Sequence, residues 1–199
     1  MNKNNIKRIV ELAFREITKK GYFDIEKGNA PIPGIWNEAM SKIPNAMTDY
    51  VNECGYGCCF VFSAYMIEIL NKYGINSYMI GTVEDTGTRA SVMYEDNGEF
   101  YFANPVEDIE YFTEHNIKPE DRADFYDGDS ATMTIDGNKH NDSRYTLDEF
   151  CKKYGTMWVI GSMNNNSQDT LGTQFSSMQN RTIMPPEQAN YDIKKLLKK

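Results

Sequence analysis

Apolar residues recur with a helical period at the start of the chain. Ile6, Ile9, Val10, Ala13, Phe14 and Ile17 share one face, which predicts a helix over about Asn5 to Lys20, closed by Gly21. The stretch Asn29-Ala30-Pro31-Ile32-Pro33-Gly34 excludes regular structure and is predicted to be a loop. A second helical stretch covers Ile35 to Val51, with Pro44 as a break. A third helix is predicted from Cys58 or Cys59 to about Tyr73-Gly74. Its residues Phe60, Val61, Phe62, Ala64, Tyr65, Met66, Ile67, Ile69 and Leu70 are apolar on nearly every side, the mark of a core helix. Only Glu68 and Lys72 are expected to face solvent, as an i,i+4 pair.

The pattern then changes to strands. Ser77 to Glu84, Ala90 to Glu95 and Glu99 to Ala103 read as three of them, and Asp96-Asn97-Gly98 is a hairpin turn between the last two. Asn104-Pro105 ends the hairpin, and a short helix is predicted over Val106 to Glu114. From Lys118 to Ser143 the chain is polar and acidic, and reads as an irregular insertion with one short strand, Ala131 to Ile135. Thr146 with Glu149 three residues on forms a capping box, so a helix follows over Leu147 to Tyr154. Thr156 to Ser162 reads as a further strand. Helices segregated from an antiparallel sheet predict an α+β domain over residues 1–163, followed by a polar C-terminal extension over 164–199.

The 199 residues suffice for one hydrophobic core without staples. The net charge of -8 argues against a nucleic-acid partner, which requires a clustered basic face. No apolar run has the length of a membrane span and no secretory h-region is visible, so a cytoplasmic location is expected. The four cysteines are Cys54, Cys58, Cys59 and Cys151; with no repeated CxxC pair and two histidines, reduced thiols without a metal are expected. Asp127-Gly128-Asp129 lacks the spacing of a calcium loop, and no cofactor motif is present. The richness in Asn, Lys, Tyr and Met has the flavour of a low-GC bacterium or its phage.

Candidate chemistry centres on Gly57-Cys58-Cys59. A cysteine acts as a nucleophile only as thiolate, and a helix N-terminus favours that form. The glycines allow a tight preceding turn and close approach of a substrate backbone, and backbone N–H groups there are suited to an oxyanion. The segment resembles the transglutaminase-like branch of the papain-like cysteine enzymes. Gly57-Cys58-Cys59, Ser63, Ile69-Leu70 and Gly74-Ile75 follow that family's central-helix pattern. Arg89-Ala90-Ser91-Val92-Met93-Tyr94, the Asn97-Gly98 turn, Phe100-Tyr101-Phe102 and Asn104-Pro105 follow its hairpin. The resemblance covers roughly Cys54 to Ile109, about a quarter to a third of the chain. Its register selects Cys59 over Cys58, while Cys54 and Cys151 fit no motif.

The resemblance implies acyl chemistry on an amide, as in a peptidase, deamidase or transglutaminase-like acyltransferase, with Cys59 as nucleophile, Asn104 as orienting residue and a protein or peptide as substrate. The family's histidine, however, is replaced by Arg89, which cannot act as a general base. Three explanations follow. The fold is retained for binding, with Arg89, Tyr56 and Trp36 in the cleft; or His140, and after it His115, supplies the base from a loop over the cleft; or Arg89 is a deliberate substitution. A non-catalytic binding protein on the same fold is therefore the alternative function, and an unrelated interaction domain the third.

Overall fold

A computed structural model describes residues 3–24, 31, 34–41, 46–84, 87–128, 132–154 and 157–162. The predicted loop over 29–34 lies mostly outside them, as do the extension over 164–199 and the side chains of Trp36, Cys151 and Trp158.

The first helix, α1 (Lys3–Thr18), buries Ile9, Val10, Ala13, Phe14 and Ile17, the face its period predicts. The chain then enters β1 (Gly21–Tyr22), a two-residue strand that the pattern did not reveal. The second helical stretch is split, as Pro44 suggested, into α2 (Ile35–Ser41) and α3 (Met47–Cys54). Gly55, at φ 75°, ends α3, and β2 (Tyr56–Gly57) pairs in parallel with β1, Gly21 opposite Tyr56 and Tyr22 opposite Gly57.

The core helix is α4 (Cys59–Lys72), with Cys58 as its N-cap in extended conformation. Every residue from Phe60 to Glu68 is buried. Glu68 corrects the solvent-facing expectation. Its carboxylate accepts the Thr48 N–H at 2.9 Å, supplying an acceptor to the free amides at the start of α3, while its other oxygen lies 3.2 Å from Lys72.

The sheet follows the predicted strands: β3 (Ser77–Glu84), β4 (Gly87–Asp96) and β5 (Glu99–Ala103). Asn97 and Gly98, at φ 55° and 81°, make the hairpin turn, whose handedness requires positive φ at both positions. After α5 (Pro105–Glu114) the acidic segment is more ordered than its composition suggested. It forms a 3-10 turn over Arg122–Phe125 and a hairpin of β6 (Thr132–Ile135) with β7 (Asn138–Asn141). Arg122 reaches the Thr18 carbonyl at 3.2 Å, and Arg15 reaches the carbonyls of Ala123 and Tyr126 at 2.5 and 2.7 Å. These bonds fasten the segment to α1.

Next come β8 (Arg144–Thr146), α6 (Leu147–Lys153) with its capping box in place, and β9 (Met157–Ser162). The five-stranded sheet has the order β8-β5-β4-β3-β9, with every described pairing antiparallel. Alternation along the strands divides its two faces. Met79, Ala90, Val92, Tyr94 and Ala103 join the cluster around α4, while Ile80, Met93 and Phe102 meet Phe150 of α6 and Tyr154 at its C-terminal cap. The Phe102 and Phe150 rings stack with centroids 4.2 Å apart. The domain is α+β. Among the described residues no helix is long and apolar enough to cross a membrane.

Candidate functional site

Cys59 is the first residue of α4, so its thiol lies where the free N–H groups of the first turn converge. The preceding Gly57 is there for packing. A Cβ on it would lie 2.5 Å from the Phe62 ring, so α4 folds its own phenyl group against the turn that leads into it. The tight turn expected before the helix is thus present, closed by this contact at the helix entrance. Cys58 turns into the core and is 1% exposed, and burial raises its thiol far above the ordinary range.

Cys59 packs against the core but keeps partial exposure. Burial pushes its thiol up; the Ala90 N–H, the Arg89 charge and the Phe60 N–H pull in the other direction without cancelling the burial. The neutral thiol is therefore favoured beyond that of a free cysteine.

Arg89, 7% exposed, stands beside this thiol at the head of β4's described side chains. Its guanidinium donates to the Tyr22 hydroxyl, to Asp24 Oδ2 at 3.5 Å and to Glu110 Oε1 at 3.4 Å. Burial opposes its charge, but Tyr22, Glu110, Cys59 and Asp24 together outweigh that and hold it above the usual arginine range. Burial likewise raises the Tyr22 phenol, with the neighbouring Cys59 adding to it. The group at the centre of the site is a fixed cation that has no lone pair for taking a proton.

Four elements converge here: β1 and the residues after it, α4, β4 and α5. The short β1–β2 pairing, extended by the Phe23 N–H bonding to the Gly57 carbonyl at 3.0 Å, carries Tyr22 and Asp24 to the head of α4. Tyr22, Asp24 and Glu110 were not legible in the sequence, because the segment that carries Tyr22 and Asp24 lies far along the chain from α5, which carries Glu110, and from Arg89.

The other expected residues bond to partners of their own. Asn104 is buried before α5, and its amide donates to Glu107 Oε1 at 2.9 Å and to the Tyr154 hydroxyl at 3.4 Å, facing α6. Among the described residues its buried Oδ1 has no hydrogen-bond partner. His140 belongs to β7 and not to a loop over the cleft; its ring lies 3.0–3.1 Å from the Tyr111 hydroxyl. His115, at the end of α5, is exposed and contacts the Tyr111 carbonyl through Nδ1 at 2.9 Å. Tyr56, 39% exposed, places its ring over Gly21, one strand away from Tyr22. The side chain of Trp36 lies outside the described residues. Among the described residues no group of three or more His, Cys, Asp or Glu is arranged to hold a metal.

Comparisons with protein-family models, with curated proteins and with solved structures found no match.

Proposed function

We propose that this chain is a papain-like, transglutaminase-like domain that has kept the cysteine position and lost the acyl chemistry, and that its old cleft binds a protein or peptide partner. The observation that carries the reading is Arg89, set beside Cys59 and held by Tyr22, Asp24 and Glu110. A cysteine nucleophile of this class needs a neighbour that accepts the thiol proton and returns it to the leaving group. A guanidinium anchored by two carboxylates does neither. The helix that begins at Cys59, followed by the β4–β5 hairpin, supports the family part of the reading.

One observation favours the catalytic alternative. The N–H groups of Ala90 and Phe60 both bear on the Cys59 sulfur, and such donors would stabilise a thiolate or an oxyanion there.

Iodoacetamide labelling across pH, read by mass spectrometry on the peptide containing Cys59, separates the two. The binding reading expects a midpoint above the roughly 8.5 of a free thiol. It also expects no release of ammonia or amine from glutaminyl and peptidyl amides. A midpoint below about 7, or amide turnover abolished by Cys59→Ala, sinks it. Peptides captured from an array should be lost when Cys59 is carbamidomethylated; retention of all of them would remove the cleft as the binding surface.

A further inference from the structure

Three side-chain oxygens on one face of the sheet have no hydrogen-bond partner among the described residues: Thr82 Oγ1, Ser91 Oγ and Asn104 Oδ1. Their side chains are 0%, 0% and 2% exposed, so bulk water does not reach them. The strand register brings them together. Ile80 stands opposite Ser91, and Thr82 is the next residue of β3 on that face. On the other side of β4, the pairs Val92–Ala103 and Met93–Phe102 set Asn104 one step beyond the ladder, opposite Ser91. Asn104 keeps to the face of Phe102, since its amide reaches Tyr154, which packs with that ring. Its N–H continues the β5–β8 ladder to the Ser143 carbonyl at 3.0 Å. Ile80, Met93 and Phe102 make this face apolar, and the three polar residues form a strip at its end.

A buried polar atom without a partner is costly, and three in one place point to a partner that they share. Their chemistry defines it. Asn104 Nδ2 donates to the Glu107 carboxylate at 2.9 Å, which fixes the orientation of the amide and leaves Oδ1 as a pure acceptor. The shared partner must therefore donate. The two hydroxyls rotate and can donate or accept. Arg89, opposite Thr82 on β4, disfavours a cation, and the amide oxygen disfavours an anion. Cross-strand and diagonal neighbours have Cβ atoms about 5 to 7 Å apart, a gap that a water-sized molecule bridges with bonds of about 2.8 Å.

We propose that Thr82 Oγ1, Ser91 Oγ and Asn104 Oδ1 form an internal site for a small neutral hydrogen-bond donor, and that its occupant is water. Three bonds to protein are the usual complement of a buried water. The site adjoins the Cys59 cleft, because Ser91 follows Ala90, whose N–H bears on the Cys59 sulfur. It stands whether that cleft is catalytic or not.

The test uses the full chain. Thr82→Val keeps the shape of the side chain and removes its hydroxyl. Where that hydroxyl holds a shared water, the urea midpoint should fall by about 0.5 M. A dry, orphaned hydroxyl gives the opposite sign, because its loss removes a buried polar group that had nothing to bond. Ser91→Ala should also lower the midpoint, and the double variant by less than the sum, since both act on one molecule. A crystal structure of the parent chain should show an ordered water within about 3.2 Å of at least two of the three oxygens. A midpoint unchanged or raised in Thr82→Val overturns the proposal, and so does density in which the three oxygens are dry or bonded to other protein groups.

Discussion

Arg89 and Asp24 meet 3.5 Å apart, each with 8% of its side chain exposed, across the head of the core helix. Removing one member of a buried ion pair leaves the other's charge without compensation, which costs more than the pair contributes. Arg89→Ala is therefore expected to lower stability by about 3 kcal/mol in urea unfolding. The double variant Arg89→Met with Asp24→Asn should recover part of that loss, although Glu110 stays exposed to the change. A single Arg89→Ala as stable as the parent would show that the cluster is solvated.

Gly57→Ala tests how α4 is seated. The added methyl group would press on the Phe62 ring at 2.5 Å, so the ring or the turn must shift. Overpacking of this kind costs about 1–3 kcal/mol. Phe62→Leu in the Gly57→Ala background should relieve it, a coupling that a double-mutant cycle measures. Because Cys59 begins the same helix, the alkylation rate of Cys59 should change with Gly57→Ala and return with the second substitution.

Much of the scaffold was legible because its signals are local. The all-round apolar run fixed α4, the Asn97-Gly98 pair fixed the β4–β5 turn, and Thr146 with Glu149 fixed the start of α6. The β1–β2 pairing was not legible, since two-residue strands carry no period. Nor was β7: Asn138-Lys139-His140-Asn141 has no apolar residue, because only His140 is partly buried. The available sign was Asp136-Gly137, which takes φ 51° and 76° and turns the β6–β7 hairpin. At the site, Cys59 and Arg89 were legible as positions. What surrounds Arg89 was not, because Tyr22, Asp24 and Glu110 meet it only through tertiary packing.

The capping box at α6 gives a prediction with a distant consequence. Thr146 Oγ1 accepts the Glu149 N–H at 3.3 Å while Glu149 Oε2 accepts the Thr146 N–H at 2.8 Å. Thr146→Ala should cost about 1 kcal/mol. Since α6 carries Phe150 onto Phe102, hydrogen exchange should rise first in α6 and at the β5–β8 pairing, ahead of α4. Uniform acceleration across the chain would mean that α6 does not open by itself.

Asp108 makes stability depend on pH in a direction opposite to that of most carboxylates. Its pKa rises from 3.8 to about 7 on folding, because burial and Asp142 disfavour the charged form. Between those values the folded chain keeps a proton that the unfolded chain has released. The contribution is complete below about 4 and is lost as pH rises through 7. Glu149 acts in the other sense. The Thr146 N–H and hydroxyl hold it below 4.5, so its contribution is present above that value and fades in acid. A comparison from pH 5 to pH 8 isolates Asp108 from that effect. In urea unfolding the parent chain should lose about 2 kcal/mol over this window, and Asp108→Asn clearly less. An unchanged pH profile in Asp108→Asn would assign the dependence to another group and would leave Asp108 ionised throughout.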